Sequence, residues 1–338
     1  MAVPRGRTAI PFAAFAAMIV VSLPACERSP EIVERTDFAM GTIVQLKVVS
    51  RDAAAAEAAI DRAIEEFRRV ESLTTVHDAS SDVRRLGAAA PEPVVVDADT
   101  DVVLTLARDV ARGSGGAFHP VAGTLIRLWG FPEAPAVPDS AAIAALVADL
   151  PFDALARTGE RTWSVARAGL EVDLGGIAKG YGVDRAAEVL AEAGACIVNA
   201  GGDLAVRGVR PDGEGWLIGV EDPRDPSQLL VKLRMGPTDA VATSGDYQHF
   251  AELDGVRYHH LLDTATGWPA RGVSSATVIA PTCALADAWA TAAFVMGPGA
   301  GIGALEADPA LEGILVTVDE AGEVRIHETS GIARYRVP

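Results

Sequence analysis

The sequence predicts an α+β fold of two closely packed lobes built from mixed β-sheet and helices. Strand and helix candidates follow one another irregularly along the 338 residues, without the regular strand–helix repeat of parallel α/β proteins. No low-complexity linker divides the chain, so intimately packed lobes are expected rather than two independent domains. With 49% hydrophobic residues the chain can bury a large core, which excludes global disorder.

The first residues predict an export signal rather than a part of the fold. Arg5 and Arg7 precede an apolar run over about 10–21, and the Leu-Pro-Ala-Cys segment that ends at Cys26 resembles a bacterial lipobox. A plain signal peptide or a short membrane anchor is the alternative, although the run is shorter than the ~20 residues of a spanning helix. We predict a lipoprotein signal peptide over 1–25 with lipidation at Cys26, a polar tether over 26–36, and one domain over 37–338.

Charge and cysteine content exclude further classes. There are 46 acidic and 29 basic side chains, giving a net charge of −17, so a nucleic-acid partner is not expected. Three cysteines are too few for a disulfide scaffold. Cys196 and Cys283 lie in apolar segments and are predicted to be buried free thiols.

Hydrophobic periodicity predicts the elements in order. After a strand at 42–49, apolar residues recur at spacings of four and three and define one buried stripe of a helix: Ala56, Ile60, Ala63, Phe67 and Val70. Further helices are predicted over 101–112, from Asp139 or Ser140 to 150, and near 177–193, 284–296 and 299–307. Strand candidates lie within 161–172 and at 196–199, 216–220, 229–233, 240–243, 258–262, 274–279, 313–318 and 324–326.

The segment 170–184 carries the strongest local signal. An apolar strand ends at Asp173, the pair Gly175-Gly176 follows, and a helix starts near Lys179. Adjacent glycines let the backbone approach a ligand closely, and helix N-terminal N–H groups attract phosphate. An ordinary strand–helix turn with a solvated lysine is the alternative. A second glycine pair, at 201–202, is interpreted as a tight turn.

Two further segments place reactive side chains near strand and helix ends. His259 and His260 are adjacent in a predicted strand, so they point to opposite faces and one of them can enter a site. Asp287 and Thr291 are four residues apart in an apolar helix and therefore share a face. A carboxylate and a hydroxyl at this spacing fit a hard cation such as Mg²⁺, although Asp287 could instead be a first-turn acid that complements the helix dipole.

Together these motifs resemble the ApbE-like FAD:protein FMN transferase family, over nearly the whole chain after the signal. Such proteins are periplasmic, are often lipid-anchored, and use Mg²⁺ to cleave FAD, moving FMN onto a Thr or Ser hydroxyl of a membrane redox protein and releasing AMP. The resembling segments are Met-Gly-Thr at 40–42, Phe131, Val-Asp-Leu-Gly-Gly-Ile-Ala-Lys-Gly-Tyr at 172–181, Asn-Ala-Gly-Gly-Asp-Leu at 199–204, Thr-Ser-Gly-Asp-Tyr at 243–247, His-His-Leu-Leu-Asp-Thr-Ala-Thr-Gly at 259–267 and Ala-Asp-Ala-Trp-Ala-Thr at 286–291.

The resemblance implies a cleft between the lobes that holds FAD and Mg²⁺. It implies Mg²⁺ ligation by the Gly176 carbonyl and the side chains of Asp287 and Thr291. His260 is the expected catalytic group, with Asp246 or Asp263 orienting or replacing it. The residues expected to contact FAD are Met40, Ala117, Phe118, His119, Asp173, Lys179 and Leu262.

Two positions depart from the family pattern, which usually has Asp at the place of His119 and a tyrosine at the place of His77. The resemblance implies an enzyme of the cell envelope, lipid-anchored in a bacterial membrane and facing the periplasm. Two alternatives remain open: an Mg²⁺-dependent FAD pyrophosphatase that yields FMN and AMP, and a non-catalytic FAD-binding lipoprotein.

Overall fold

The computed structural model describes residues 29–131 and 134–338. Its helices are α1 (Ala53–Thr74), α2 (Asp82–Ala89), α3 (Ala98–Gly113), α4 (Gly123–Trp129), α5 (Ser140–Ala148), α6 (Ala178–Ala191) and α7 (Cys283–Glu306), followed by a 3₁₀ turn at Ser330–Arg334. Its strands are β1 (Glu31–Ala39), β2 (Thr42–Ser50), β3 (Val94–Val95), β4 (Leu155–Gly159), β5 (Thr162–Val165), β6 (Ala195–Ala200), β7 (Asp203–Arg207), β8 (Trp216–Glu221), β9 (Leu229–Met235), β10 (Ala240–Gly245), β11 (Phe250–Leu253), β12 (Val256–His259), β13 (Leu262–Asp263), β14 (Trp268–Pro269), β15 (Ser275–Ala280), β16 (Glu312–Val318) and β17 (Val324–Glu328).

An eight-stranded antiparallel sheet organises the molecule, in the order β1-β2-β6-β7-β10-β15-β16-β17. One face is covered by α1, α6 and α7, and the other by the β8–β9 hairpin. Side chains of β10 alternate accordingly, because Ala240 and Ala242 face the helices whereas Val241 joins the cluster under β8–β9. The α+β class is confirmed.

The predicted helical stripe of α1 is confirmed. Its five apolar residues are all buried, against α6 and the β1–β2 hairpin. The helix begins where the Asp52 carboxylate accepts the N–H groups of Ala54 and Ala55, which satisfies two donors that have no intrahelical partner.

The tether predicted over 26–36 is wrong for its second half. Residues from Glu31 onward form β1, which pairs with β2 along its whole length. The segment is polar because β1 is an edge strand that is largely solvent-exposed, so composition alone does not separate it from a linker. The signal segment 1–25 and Cys26 lie outside the described residues.

The helix α7 crosses the core and carries the predicted Asp287–Thr291 pair. By length and composition it is apolar enough to span a membrane, but it packs on α6, β10 and β15. Gly297, with φ of 82°, and Pro298 kink it, so neither half approaches the roughly 20 residues that span a bilayer. We therefore assign α7 as a core helix.

A close contact between α6 and α7 sets the geometry of the site. Asp184 of α6 accepts the N–H groups of Cys283 and Ala284 at 2.8 and 2.9 Å, which caps the start of α7. A Cβ at position 180 would lie 2.4 Å from the Cys283 carbonyl oxygen, so glycine is needed there. This contact brings Lys179 alongside the first turns of α7.

The prediction of buried free thiols is confirmed for Cys196 and Cys283. Burial raises the pKa of Cys196 to about 12 and that of Cys283 well above its ordinary value, so both thiols stay protonated and unreactive.

Candidate functional site

The site is built around a lysine between two buried aspartates from different elements. Lys179 Nζ of α6 donates to Asp203 Oδ2 at 2.7 Å and to Asp287 Oδ2 at 3.5 Å. Asp203 is the first residue of β7, after the Gly201-Gly202 turn, and Asp287 belongs to α7. The side chains of both aspartates are at most 4% exposed. Three separate sequence segments therefore meet at one charged cluster.

The two carboxylates and the lysine of this cluster shift one another's pKa values. Burial and the neighbouring Asp203 raise the pKa of Asp287 to about 7, although Lys179 and the Gly180 N–H, 3.1 Å away, lower it. Burial by itself would lower the pKa of Lys179, but the two carboxylates raise it above its ordinary value. Lys179 is therefore charged, and Asp287 holds its negative charge at a cost that a bound cation would reduce.

Further oxygen donors lie one helical turn along α7 from Asp287, at Thr291. Thr291 Oγ1 lies 3.2 Å from Ser244 Oγ of β10, and a Cβ added at Gly176 would sit 3.1 Å from Thr291 Oγ1. Because residue 176 has no side chain, the backbone of that turn can lie close to Thr291 of α7. The alternative of a first-turn acid is wrong for Asp287, which is the fifth residue of α7 and is buried.

This donor set fits Mg²⁺ in kind. A carboxylate, a hydroxyl and a backbone carbonyl are all hard oxygen ligands, and Mg²⁺ binds through few protein ligands while keeping water or substrate oxygens. No group of three or more His, Cys, Asp and Glu side chains suited to a metal occurs within 29–131 and 134–338. A zinc-type or multi-carboxylate centre is therefore not present in that part of the chain.

One ring nitrogen of His260 is directed at a backbone carbonyl. Its Nδ1 lies 3.2 Å from the His249 carbonyl oxygen, which also accepts the His260 N–H at 3.1 Å. A ring that donates from Nδ1 leaves Nε2 with a lone pair. Burial lowers the pKa of His260 to about 3, and positive charge on His249 and Lys179 acts in the same direction, so the ring is neutral at pH 7.

His259 points elsewhere. Its Nε2 lies 2.9 Å from the Ala270 carbonyl oxygen, and its ring packs edge-on against Phe294 of α7. The strand predicted at 258–262 is wrong in its second half, because β12 ends at His259 and His260 lies just beyond it. The two rings have different surroundings, as the adjacent positions predicted.

The two other predicted catalytic carboxylates have partners of their own. Asp246 receives two hydrogen bonds of 2.7 Å from Arg224 and is close to Arg257. Asp263 accepts the Ala265 N–H and the Thr266 hydroxyl, which shapes the turn between β13 and β14. The structure shows no hydrogen bond between either carboxylate and His260 among the described residues.

The predicted flavin contacts fall into two groups. Phe118 lies beside the cluster, since a Cβ at Gly176 would be 3.3 Å from its ring, and Met40 Sδ lies over Gly182 of α6. Met40 occupies the β1–β2 turn with φ of 50°. Ala117 is half-buried next to Phe118, whereas Leu262 is buried in a separate apolar cluster with Trp129.

The side chains of His119 and Asp173 contact backbone atoms of neighbouring loops and turns. His119 Nδ1 accepts the Val121 N–H at 3.2 Å and its Nε2 lies 3.3 Å from the Pro151 carbonyl oxygen, so the ring bridges two loops where family members usually have Asp. Asp173 accepts the Gly175 N–H at 2.7 Å, and burial raises its pKa, while positive charge on His77 lowers it.

Comparison with known proteins finds relatives of this chain. The model of the ApbE family matches residues 40–315. The chain belongs to the ApbE family. It is 34% identical over 328 residues to the FAD:protein FMN transferase of Treponema pallidum (90% of this chain, 88% of that protein) and 35% identical over 312 residues to that of Vibrio cholerae (88% and 91%).

Solved ApbE structures share the fold. The ApbE protein of Thermotoga maritima superposes with a TM-score of 0.82 at 33% identity, covering 91% of this chain and all of that one. The flavin transferase ApbE of Vibrio cholerae gives 0.79 at 31% identity, covering 90% and 99%. A histidine-to-glycine variant of the latter protein is similar to this chain as well.

Three residues that contact the predicted site residues were not predicted from the sequence as site residues. They are Asp203, which follows the glycine pair interpreted as a tight turn, His249 and Ser244. Each acquires its role through a partner distant in sequence: Lys179, His260 and Thr291, respectively. A carboxylate directly after a glycine pair was the available signal for Asp203.

Replacing Lys179 with Met should destabilise the fold, because Asp203 and Asp287 would lose their shared cationic partner. Asp203 and Asp287 would then face each other without a cation, and breaking a buried ion pair typically costs ~3–5 kcal/mol. Lys179 is partly exposed, so we expect about 2 kcal/mol, measured by urea unfolding. Adding Asp203→Asn should restore part of the loss. A double variant no more stable than Lys179→Met would contradict the proposed repulsion.

Proposed function

We propose that this chain is an FAD:protein FMN transferase. It cleaves the pyrophosphate of FAD, transfers FMN to a Thr or Ser hydroxyl of an acceptor protein and releases AMP. The observation that carries this proposal is the cluster at Lys179, where residues of α6, β7 and α7 meet beside the oxygen donors of Thr291 and Ser244. A protein that only binds FAD has no need of a buried carboxylate and hydroxyl aligned on α7.

Asp287, Thr291 and the carbonyl of Gly176 would hold Mg²⁺. When bound, Mg²⁺ supplies Lewis-acid stabilisation of the negative charge that develops on the phosphoryl oxygens. The protein itself buries the Asp287 carboxylate away from solvent, and the Gly180 N–H orients it by a hydrogen bond. The hydrogen bond between Thr291 and Ser244 fixes the hydroxyl rotamer in the same way.

Lys179 and the turn before α6 would bind the pyrophosphate. Gly175 and Gly176 carry no side chains in the turn just before α6, a helix of 14 residues, so an anion could approach the backbone of that turn closely. Lys179 adds a fixed positive charge. Local groups must bind this anion against a chain whose net charge is −17.

His260 would take the proton of the acceptor hydroxyl. Its Nε2 is free to accept because Nδ1 is directed at the His249 carbonyl. A ring with a pKa of about 3 is a weak base, and an anion bound beside it would raise this pKa.

The reaction balances as an in-line phosphoryl transfer. The acceptor oxygen forms a bond to the FMN-side phosphorus, and the bond from that phosphorus to the bridging oxygen breaks. The hydroxyl proton moves to His260 Nε2, and AMP leaves with the bridging oxygen. In this scheme neither Asp246 nor Asp263 is required as a base, because both are held in other contacts.

The acceptor is proposed to be a membrane redox protein, with the enzyme anchored by lipid on Cys26 in the cell envelope and facing the periplasm. The sequence supports this through the apolar run over 10–21 and the lipobox-like segment ending at Cys26. Strand β1 begins at Glu31, which leaves a short connection between the lipidated residue and the folded domain.

Removal of Mg²⁺ tests the metal part of the proposal. We expect FAD cleavage to stop in excess chelator and FAD affinity to fall sharply, because no cation would then offset the negative charges of Asp287 and the pyrophosphate. Flavin fluorescence titration measures the affinity, and readdition of Mg²⁺ should restore it. Ca²⁺, which prefers more ligands and longer bonds, should restore less activity. Unchanged FAD affinity in chelator would contradict the metal bridge.

A further inference from the structure

A small hairpin next to the catalytic histidine has an unpaired edge. Strands β11 and β12 form a sheet of two strands, joined by Asp254 and Gly255 with φ of 52° and 75°. These angles are those of a two-residue type I′ turn, whose flanking residues, Leu253 and Val256, form a hydrogen-bonded pair.

The register determines which backbone groups point outward. Hydrogen-bonded and non-hydrogen-bonded pairs alternate along an antiparallel ladder, so Glu252 and Phe250 lie in non-hydrogen-bonded pairs. Their N–H and C=O groups therefore face away from β12. The same alternation predicts a hydrogen-bonded pair at His249 and His260. The His260 N–H does donate to the His249 carbonyl. Within the described chain the outward groups of these two residues have no hydrogen-bond partner.

The outer edge of β11 is accessible and adjoins the site. Phe250 is 41% exposed, and Glu252 is also exposed. On β12, Tyr258 packs against Trp129 and His259 is buried, whereas Val256 is exposed. Residue 249, whose carbonyl orients His260, directly precedes β11. A chain that paired with this edge and continued beyond Phe250 would pass residue 249, whose carbonyl contacts His260.

We propose that the outer edge of β11 binds the acceptor as a third strand, an extended peptide segment that carries the Thr or Ser hydroxyl. This rests on the proposed function, which requires a peptide to approach His260. An unpaired strand edge offers alternating N–H and C=O groups, which another extended backbone matches. The bonds involve backbone only, so this edge aligns the acceptor while side-chain selection lies elsewhere.

Two variants at one position test the proposal. Glu252→Pro removes the outward N–H without removing a ladder bond to β12, whereas Glu252→Ala keeps it. We expect the KM for the acceptor to rise roughly tenfold in Glu252→Pro and to stay unchanged in Glu252→Ala, with the KM for FAD unchanged in both. Equal acceptor KM values in the two variants, with wild-type transfer intact, would overturn the proposal. Absence of transfer by the wild type would instead overturn the proposed function.

Amide hydrogen exchange provides a second measurement in case proline disturbs the hairpin. In the wild-type protein, the amides of Phe250 and Glu252 should become protected when an acceptor peptide is added in the presence of FAD. FAD alone should leave their exchange unchanged. Protection of other surfaces without protection of β11 would exclude strand addition.

Discussion

Replacement of Asp287 by Asn should nearly abolish FMN transfer and leave the protein folded. The change removes the carboxylate that would hold Mg²⁺, and several kcal/mol of transition-state stabilisation correspond to a loss of roughly 10²–10³-fold. Stability should not fall, because burial disfavours the charged form of Asp287, with its pKa raised to about 7. An amide oxygen still accepts the Gly180 N–H. The rate of AMP release and a thermal melt measure the two effects.

Asp184→Asn is the matched control for this variant. Asp184 is also a buried carboxylate that accepts backbone N–H groups, but those belong to the start of α7. We expect Asp184→Asn to lower the melting temperature and to retain transfer activity in the folded protein. If Asp287→Asn kept wild-type transfer, or lost activity only in proportion to unfolding, the assignment of Asp287 to Mg²⁺ would be wrong.

Replacement of His260 by Ala should slow transfer about 10²–10⁴-fold, the usual contribution of a general base. The affinity for FAD should change little, because the proposed pyrophosphate contacts lie at Lys179 and the turn before α6. Single-turnover formation of the flavinylated acceptor measures the rate, and fluorescence titration measures the affinity. The effect thus appears in kcat rather than in the KM for FAD.

The neighbouring histidine supplies the control. His259 bonds to the Ala270 carbonyl and packs on Phe294, so His259→Gln should reduce stability and keep transfer in the folded fraction. A His260→Ala variant with the wild-type rate would remove His260 from the mechanism. A loss of activity explained by weaker FAD binding would make it a binding residue instead.

Local patterns predicted much of the fold. The stripe of α1 and the start of α5 at Asp139 follow from spacing and capping, which depend on neighbours along the chain. The short strand β7 was missed because it lies directly after a tight turn. The edge strand β1 was taken for a tether because its polar residues resemble those of a linker.

Some contacts of the site could likewise be predicted from the sequence, and others could not. The Asp287–Thr291 pair could be predicted because helical spacing places both on one face. The partners of Lys179 and Asp246 could not, since Asp203 and Arg224 reach them through the sheet order and the β8–β9 hairpin. Likewise, nothing local indicates that the His249 carbonyl sets the tautomer of His260. These contacts depend on tertiary structure rather than on sequence spacing.

The most direct test of the central claim is the mass of an acceptor protein incubated with the purified enzyme, FAD and Mg²⁺. We expect a covalent adduct of one FMN on a single Thr or Ser, with one AMP released for each adduct formed. Release of FMN and AMP with an unmodified acceptor would show a pyrophosphatase. Intact FAD with an unmodified acceptor would contradict a catalytic role altogether.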